Sequence, residues 1–360
     1  MKISKAFLVG TIFATSSIYA QTGSQPATKP TNRTPAALAN VASAADYKPG
    51  PPAPGVIRVW GNDFMTRLES IWEEGFRKFH PEIRFEDTLK SSAQAVGALY
   101  TNVADVGLLG REPWPMEVLG FQKMFNYDPL AIAAATGSFD AEGKTWPFII
   151  FVNKSNPIQH LDLQQLDAIF GTGLKRGAKV PITRWGQLGL TGEWADRPIH
   201  VNGYDMQIPG FTYGFQQIVF MGSDKWTGSL REFYNTHYPD GRLIHTGGDL
   251  MTAEIAKDED AIGFTGMQFA NDGVKFLPIS VNSGGPYITP NVENTANRTY
   301  PMVRAIYILV NRKPGTPLDP KLNEFLHYVL SKQGQADVLK EGDFLPMPPE
   351  FLAEQLKKLD

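Results

Sequence analysis

Residues 55 to 86 run strand, helix, strand, and that spacing confines the chain to a sheet with parallel neighbours. Val56-Ile57-Arg58-Val59-Trp60 is a β-rich run closed by Gly61. Asn62 or Asp63 can cap the helix that follows. Its Phe64, Leu68, Ile71, Trp72, Gly75, Phe76 and Phe79 fall on one face until His80-Pro81 stops it. Ile83-Arg84-Phe85-Glu86 then resumes an extended run, and two strands joined through one helix need a crossover, which makes them parallel. The alternation continues down the chain. Ser91-Ser92 opens a short helix to about Tyr100, and a buried strand covers 104–109. After a proline-rich stretch, strands over 129–135 and 146–152 flank a turn. Asp162 caps a helix over 163–170 that Gly171 closes at the C′ position. A strand at 198–201, helices at 211–220 and 252–257, strands at 261–264 and 304–310, and helices at 322–331 and 333–340 follow, with no internal repeat. The architecture is α/β, and 360 residues are more naturally two lobes than one.

Both ends of the first fifty residues read differently. Lys2 and Lys5 precede a mostly apolar run from Ala6 to Ala14, and Ala20 is a small residue at a cleavage point before Gln21, so residues 1–20 read as an export signal. A membrane anchor needs roughly 20 apolar residues, about twice this run. Residues 21–54 hold seven of the 27 prolines and one aromatic, Tyr47, and are expected to form a disordered leader. The sequence contains no cysteine, which excludes disulfides, thiolate metal sites and a lipid-anchored cysteine. With Lys+Arg at 34 against Asp+Glu at 37, the net charge of −3 offers no general attraction to nucleic acid or an anionic membrane.

Motifs of catalysis are missing. Gly143-Lys144-Thr145 imitates the end of a phosphate-binding P-loop, but Gly137 stands one residue too far upstream and Trp146-Pro147 follows where a helix should begin; a β-hairpin turn is the expectation. Gly171-Thr172-Gly173 with Gly177 follows a helix rather than a strand and reads as a loop. The six histidines form no zinc motif, there is no serine-hydrolase elbow, and Asp258-Glu259-Asp260 reads as a solvated loop. What stands out is polar helix or turn starts placed directly after strands, at 61–64, 90–93 and 205–212. Ligands of open α/β sheets bind there, because free backbone N–H groups and positive helix ends point outward. Each of Asn62, Asp63 and Ser91 taken singly could equally be a helix cap and nothing more.

In order, these residues resemble the phosphate-binding proteins of ABC importers, within the two-lobed periplasmic solute-binding proteins. Gly61-Asn62-Asp63-Phe64 with Trp72 and Phe76 looks like that family's first ligand loop and helix, and Ser91-Ser92 like its serine-rich second loop. Asp105-x-Gly107 leading to Arg111 is similar to its Asp-x-Gly-x-x-x-Arg stretch. Leu163 to Gly171 with Trp185 matches its Leu-x-x-Ile-Phe-x-Gly…Trp signature. Ala261-Ile262-Gly263-Phe264, Tyr300-Pro301 leading to Arg304, Val310-Asn311 and Phe344-Leu345-Pro346 complete the order, so the match runs from about Val56 to Pro348.

The resemblance implies a type II fold, two lobes that are each a mixed sheet flanked by helices, joined by a hinge and closing over a ligand. Lobe one is expected at 55–148 and 265–360, lobe two at 149–264. It implies a non-enzymatic, monomeric, cofactor-free protein that takes phosphate or a related small oxyanion and hands it to an ABC permease. The implied ligand residues are Asn62, Asp63, Phe64, Ser91, Ser92, Arg111, Asp205, Gly210 and Thr212. Two loops depart from the family pattern. Asp63 stands where a hydroxyl is usual, and Tyr204 or Asp205 replaces the arginine that precedes Ser-Gly-Thr, so the bidentate cationic fork is gone there. A different small ligand, or a scaffold role without one, is the alternative, and a secreted phosphate-ester hydrolase is a third reading that lacks its motifs.

Overall fold

The computed structural model describes residues 32–206 and 210–360. The chain enters through helix α1 (Pro35–Ser43) and builds β1 (Gly55–Gly61), α2 (Thr66–Phe76), β2 (Ile83–Leu89), α3 (Ser92–Tyr100), β3 (Val106–Leu109), α4 (Pro115–Phe125) and β4 (Leu130–Thr136). It then crosses to β5 (Ile149–Asn153), β6 (Leu161–Asp162), α5 (Leu163–Phe170), β7 (His200–Tyr204), α6 (Thr212–Val219), β8 (Arg231–Phe233), β9 (Thr236–His237) and β10 (Leu243–His245). After α7 (Gly247–Ile255) come β11 (Ala261–Thr265), β12 (Val274–Phe276) and β13 (Ile279–Ser280). The chain returns through α8 (Val292–Ala296) to β14 (Ala305–Val310), α9 (Pro320–Val329), α10 (Lys332–Glu341) and α11 (Pro349–Leu356).

Two five-stranded mixed sheets result, β2-β1-β3-β14-β4 and β8-β7-β11-β5-β12. They share one plan. In each, three parallel strands linked by helices (β1, β2, β3 and β7, β8, β11) are followed by an antiparallel strand from a remote part of the chain, β14 or β5. Each sheet has its own core. Ile57, Val59, Trp72, Phe76, Ile306 and Phe325 bury the first, and Phe148, Phe151, Phe170, Phe215, Trp226 and Phe264 the second. Phe148, Phe170, Phe215, Trp226 and Phe264 close as an aromatic cluster, with Phe215 and Phe264 ring centroids 4.0 Å apart.

Several expectations change. The export signal at 1–20 and the leader up to residue 31 lie outside the described residues, but residues 32–54 are no disordered leader. Thr34 caps α1, Asn40 donates to the carbonyls of Ala296 and Pro346, and the Tyr47 hydroxyl donates to Glu324 at 2.6 Å. Buried side chains of Ala37, Ala44 and Tyr47 anchor the segment to the body. Residues 137–148 form no hairpin, since β4 and β5 belong to different sheets and the segment is a crossing between them. Gly171 ends α5 in an extended conformation, φ −117°, rather than left-handed, because it pairs as an antiparallel bridge with Trp226. The proline-rich stretch after β3 contains α4, with Pro115 at the first helical position, where its missing N–H costs nothing. β12 pairs with β5, so the chain stays with the second sheet through Phe276, beyond the boundary expected at 265, and β13 then pairs with β6 in a separate two-stranded sheet.

Candidate functional site

A cavity of about 850 Å³ opens where the carboxyl ends of strands from both sheets converge. From the first sheet come Asn62 and Phe64 after β1, Ser91 and Ser92 after β2, and Gly110, Arg111 and Trp114 after β3. From the second come Gly210 and Phe211 after β7, Asn235, Thr246 and Gly248 after β8, and Gln268 and Phe269 after β11. The shared plan of the sheets therefore repeats at the site: each contributes the loops after its three parallel strands.

Local chemistry fixes the first half. Asn62 accepts the Phe64 N–H through Oδ1 and donates through Nδ2 to the Ser92 hydroxyl at 2.9 Å. That hydroxyl also accepts the Gly110 N–H, tying together the loops after β1, β2 and β3. Ser91 caps α3 by accepting from Ala93 N. Gly61 is required, since a Cβ there would lie 2.2 Å from the Leu108 carbonyl oxygen. In the second half, Thr246 caps α7 by accepting from Asp249 N, and Asn235 accepts the Gly247 N–H. α6 starts at Thr212 with no side-chain cap, which leaves its first-turn N–H groups to other partners.

Three cations reach the cavity, each beside a carboxylate. Arg111 grips Glu117 in bidentate fashion at 2.6 and 2.9 Å and lies 3.5 Å over the Trp114 ring. Glu117 also accepts the Trp114 N–H at the start of α4. Arg304 pairs with Glu112 at 2.7 Å, and Lys144 donates to the Phe64 carbonyl and to the buried Glu341. The Glu112–Arg304 pair packs on Gly214 in the first turn of α6, so the two halves touch there. The walls are aromatic: Trp146 stacks on Phe211 at 4.7 Å, and Phe64, Trp114, Phe269 and Phe344 complete them. Two titratable clusters stand elsewhere among the described residues, His200–Asp258–Asp260 and Glu69–Glu73–Asp87, and neither lines the cavity.

Of the residues singled out by sequence, Asn62, Phe64, Ser91, Ser92, Arg111 and Gly210 line the cavity. Asp63 is exposed and does not line it, nor does Asp205; Thr212 is buried in the first turn of α6 and does not line it either. Sequence reasoning missed Lys144, Trp114, Asn235, Thr246 and Arg304. Thr246 was findable, because Thr-x-x-Asp ahead of a helix is a capping signal. Lys144 belongs to the Gly-Lys-Thr stretch read as a turn.

A helix-flanked pair of sheets of this shape, with a cleft at the strand ends, is the architecture of solute-binding proteins. The PBP superfamily domain matches residues 48–333, and the chain belongs to that superfamily. It is 30% identical over 314 residues to the phosphate-binding protein PstS of Pseudomonas aeruginosa, covering 87% of this chain and 90% of that protein. Protein SphX of Synechococcus elongatus is 26% identical over 203 residues, 55% of this chain and 53% of that protein. Among solved structures, an ABC-type phosphate transport receptor from Vibrio cholerae superposes with a TM-score of 0.48 at 20% identity, over 81% of this chain and all of that one.

Proposed function

We propose that this protein is a non-enzymatic, exported receptor that binds phosphate or a closely related oxyanion in the cleft and delivers it to an ABC permease. The observation that carries the reading is the convergence of loops and helix starts from both sheets on one cavity, through Asn62 and Phe64, Ser91 and Ser92, Gly210 and Phe211, and Thr246 and Gly248, in a chain related to PstS over most of its length. First-turn N–H groups and positive helix ends hold anions without a formal charge. The paired arginines keep donors in hand: Arg111 uses three of its five N–H groups on Glu117 and the Glu112 carbonyl. Neither Asp63 nor Asp205, the carboxylates that depart from the family pattern, lines the cavity; the carboxylate that does is Glu142. Two lobes closing about the crossings near 137–148 and 281–304 would sequester the ion.

The aromatic walls favour a second reading, an oxyanion carried on an organic group, since about 850 Å³ lies in the range of roughly 300–1,000 Å³ that drug-sized ligands use. A thermal-shift panel of phosphate, arsenate, sulfate, glycerol phosphate and phenyl phosphate separates the two. Stabilisation by phosphate and arsenate alone supports the first reading, preference for the esters supports the second, and no shift with any of them at millimolar concentration removes both.

A further inference from the structure

Outside the lining of the cleft, between α2 and β2, three carboxylates come together. Glu69 and Glu73 lie one turn apart on the buried face of α2, and Asp87 reaches them from β2, an edge strand. One oxygen of each lies within 4.8 Å of the other two. Glu69 is fully buried and neither of its carboxylate oxygens has a hydrogen-bond partner; Oε1 of Glu73, a residue 8% exposed, also has none. Among the described residues Arg77 pairs with the cluster: its Nη2 stands 3.7 Å from Glu73 and its side chain is half exposed.

A buried carboxylate with no donor and no counter-charge is among the costliest arrangements a fold can hold. Burial first, and then the charges of Asp87 and Glu73, push the Glu69 carboxyl well above its ordinary range. Burial first, and then a hydrogen bond to Asp87, hold the Glu73 carboxyl up to about 8; a proton there removes one charge and ties Glu73 to Asp87 but leaves both Glu69 oxygens without a partner. A cation would serve all three groups at once.

We propose that Glu69, Glu73 and Asp87 form a binding site for a hard divalent cation, with Ca²⁺ the best fit. Three carboxylates offer up to six oxygens, and oxygen-only ligand sets select Ca²⁺, Mg²⁺ or Mn²⁺ over softer metals. Ca²⁺ accepts the irregular, partly bidentate geometry that one helix turn and a strand supply, whereas Mg²⁺ demands a near-ideal octahedron. Asp87 is exposed and opens the site to solvent, so an ion has a route in and water fills the remaining positions. The ion would pin α2 to the edge strand of the first sheet.

The test uses the full chain stripped with a chelator. Equilibrium dialysis against ⁴⁵Ca²⁺ is expected to give one ion per chain, and Ca²⁺ is expected to raise the melting temperature saturably. Glu69→Gln and Asp87→Asn should each weaken the ion at least tenfold and abolish the rise. Asp87, being exposed, is the position whose substitution keeps the fold. Phosphate titration of both variants should match the parent, which separates this site from the cleft. No rise in melting temperature with millimolar Ca²⁺, Mg²⁺ or Mn²⁺, or ion binding that survives in both variants, would overturn the proposal.

Discussion

Asn62 and Ser91 were legible in the sequence because helix capping is a local affair: a small polar residue between a strand and an apolar periodic run has one favourable place to put its oxygen. Arg111 shows the limit of that reasoning. Its partner is Glu117, six residues on, because α4 begins at Pro115 and brings its third residue back over the loop. Asp105 pairs instead with Arg58 at 2.8 Å. Burial raises the Asp105 pKa, and the Arg58 hydrogen bonds and charge outweigh it, leaving the group below its ordinary 3.8. A depressed folded pKa adds stability above the unfolded value that is lost as pH falls through the folded one. Asp105→Asn should therefore cost about 1 kcal/mol near neutral pH, and denaturant melts should show that difference vanishing well below pH 3.8. In the cleft, Arg111→Ala removes charge-assisted donors worth about 1.5–3 kcal/mol each and leaves Glu117 without its cation. Calorimetry should show phosphate bound at least tenfold more weakly, and an unchanged affinity would reduce Arg111 to a brace for the loop.

The elements that escaped the sequence did so for identifiable reasons. α4 hides behind three prolines at 113, 115 and 129, yet proline is welcome at a helix start. The segment at 32–54 looked unable to repay its ordering entropy, and its apolar content is indeed small. Its polar groups do much of the anchoring: Asn32 donates to Gly342 O, Ala36 N donates to Glu293, and Tyr47 N donates to Gln333, while the Tyr47 ring packs edge-on against Tyr328 at 5.4 Å. Such long-range pairing has no signature in composition. Removing residues up to 47 should lower stability by at least about 2 kcal/mol, the burial of Tyr47 alone being of that order. Limited proteolysis should leave 35–47 protected in the intact protein; rapid cutting within α1 would contradict the packing described.

At the scale of the molecule, the α/β class followed from the alternation of strands and helices, but the crossings between the sheets did not: the first lies at 137–148, where a hairpin turn was expected, and the second lies beyond the boundary expected at 265. That the two sheets repeat one plan did not follow either, because β8 is three residues long and β5 joins its sheet from far upstream. The repeat is what gives the cleft two matching rims. If closure of those rims over a ligand underlies function, phosphate should reduce the radius of gyration in small-angle scattering, whereas a profile unmoved at saturation would mean binding without closure. The most direct test of the central claim is a calorimetric titration of the full chain with inorganic phosphate. We predict saturable binding of one phosphate per chain with a micromolar or tighter Kd. No measurable binding at millimolar phosphate would contradict the account.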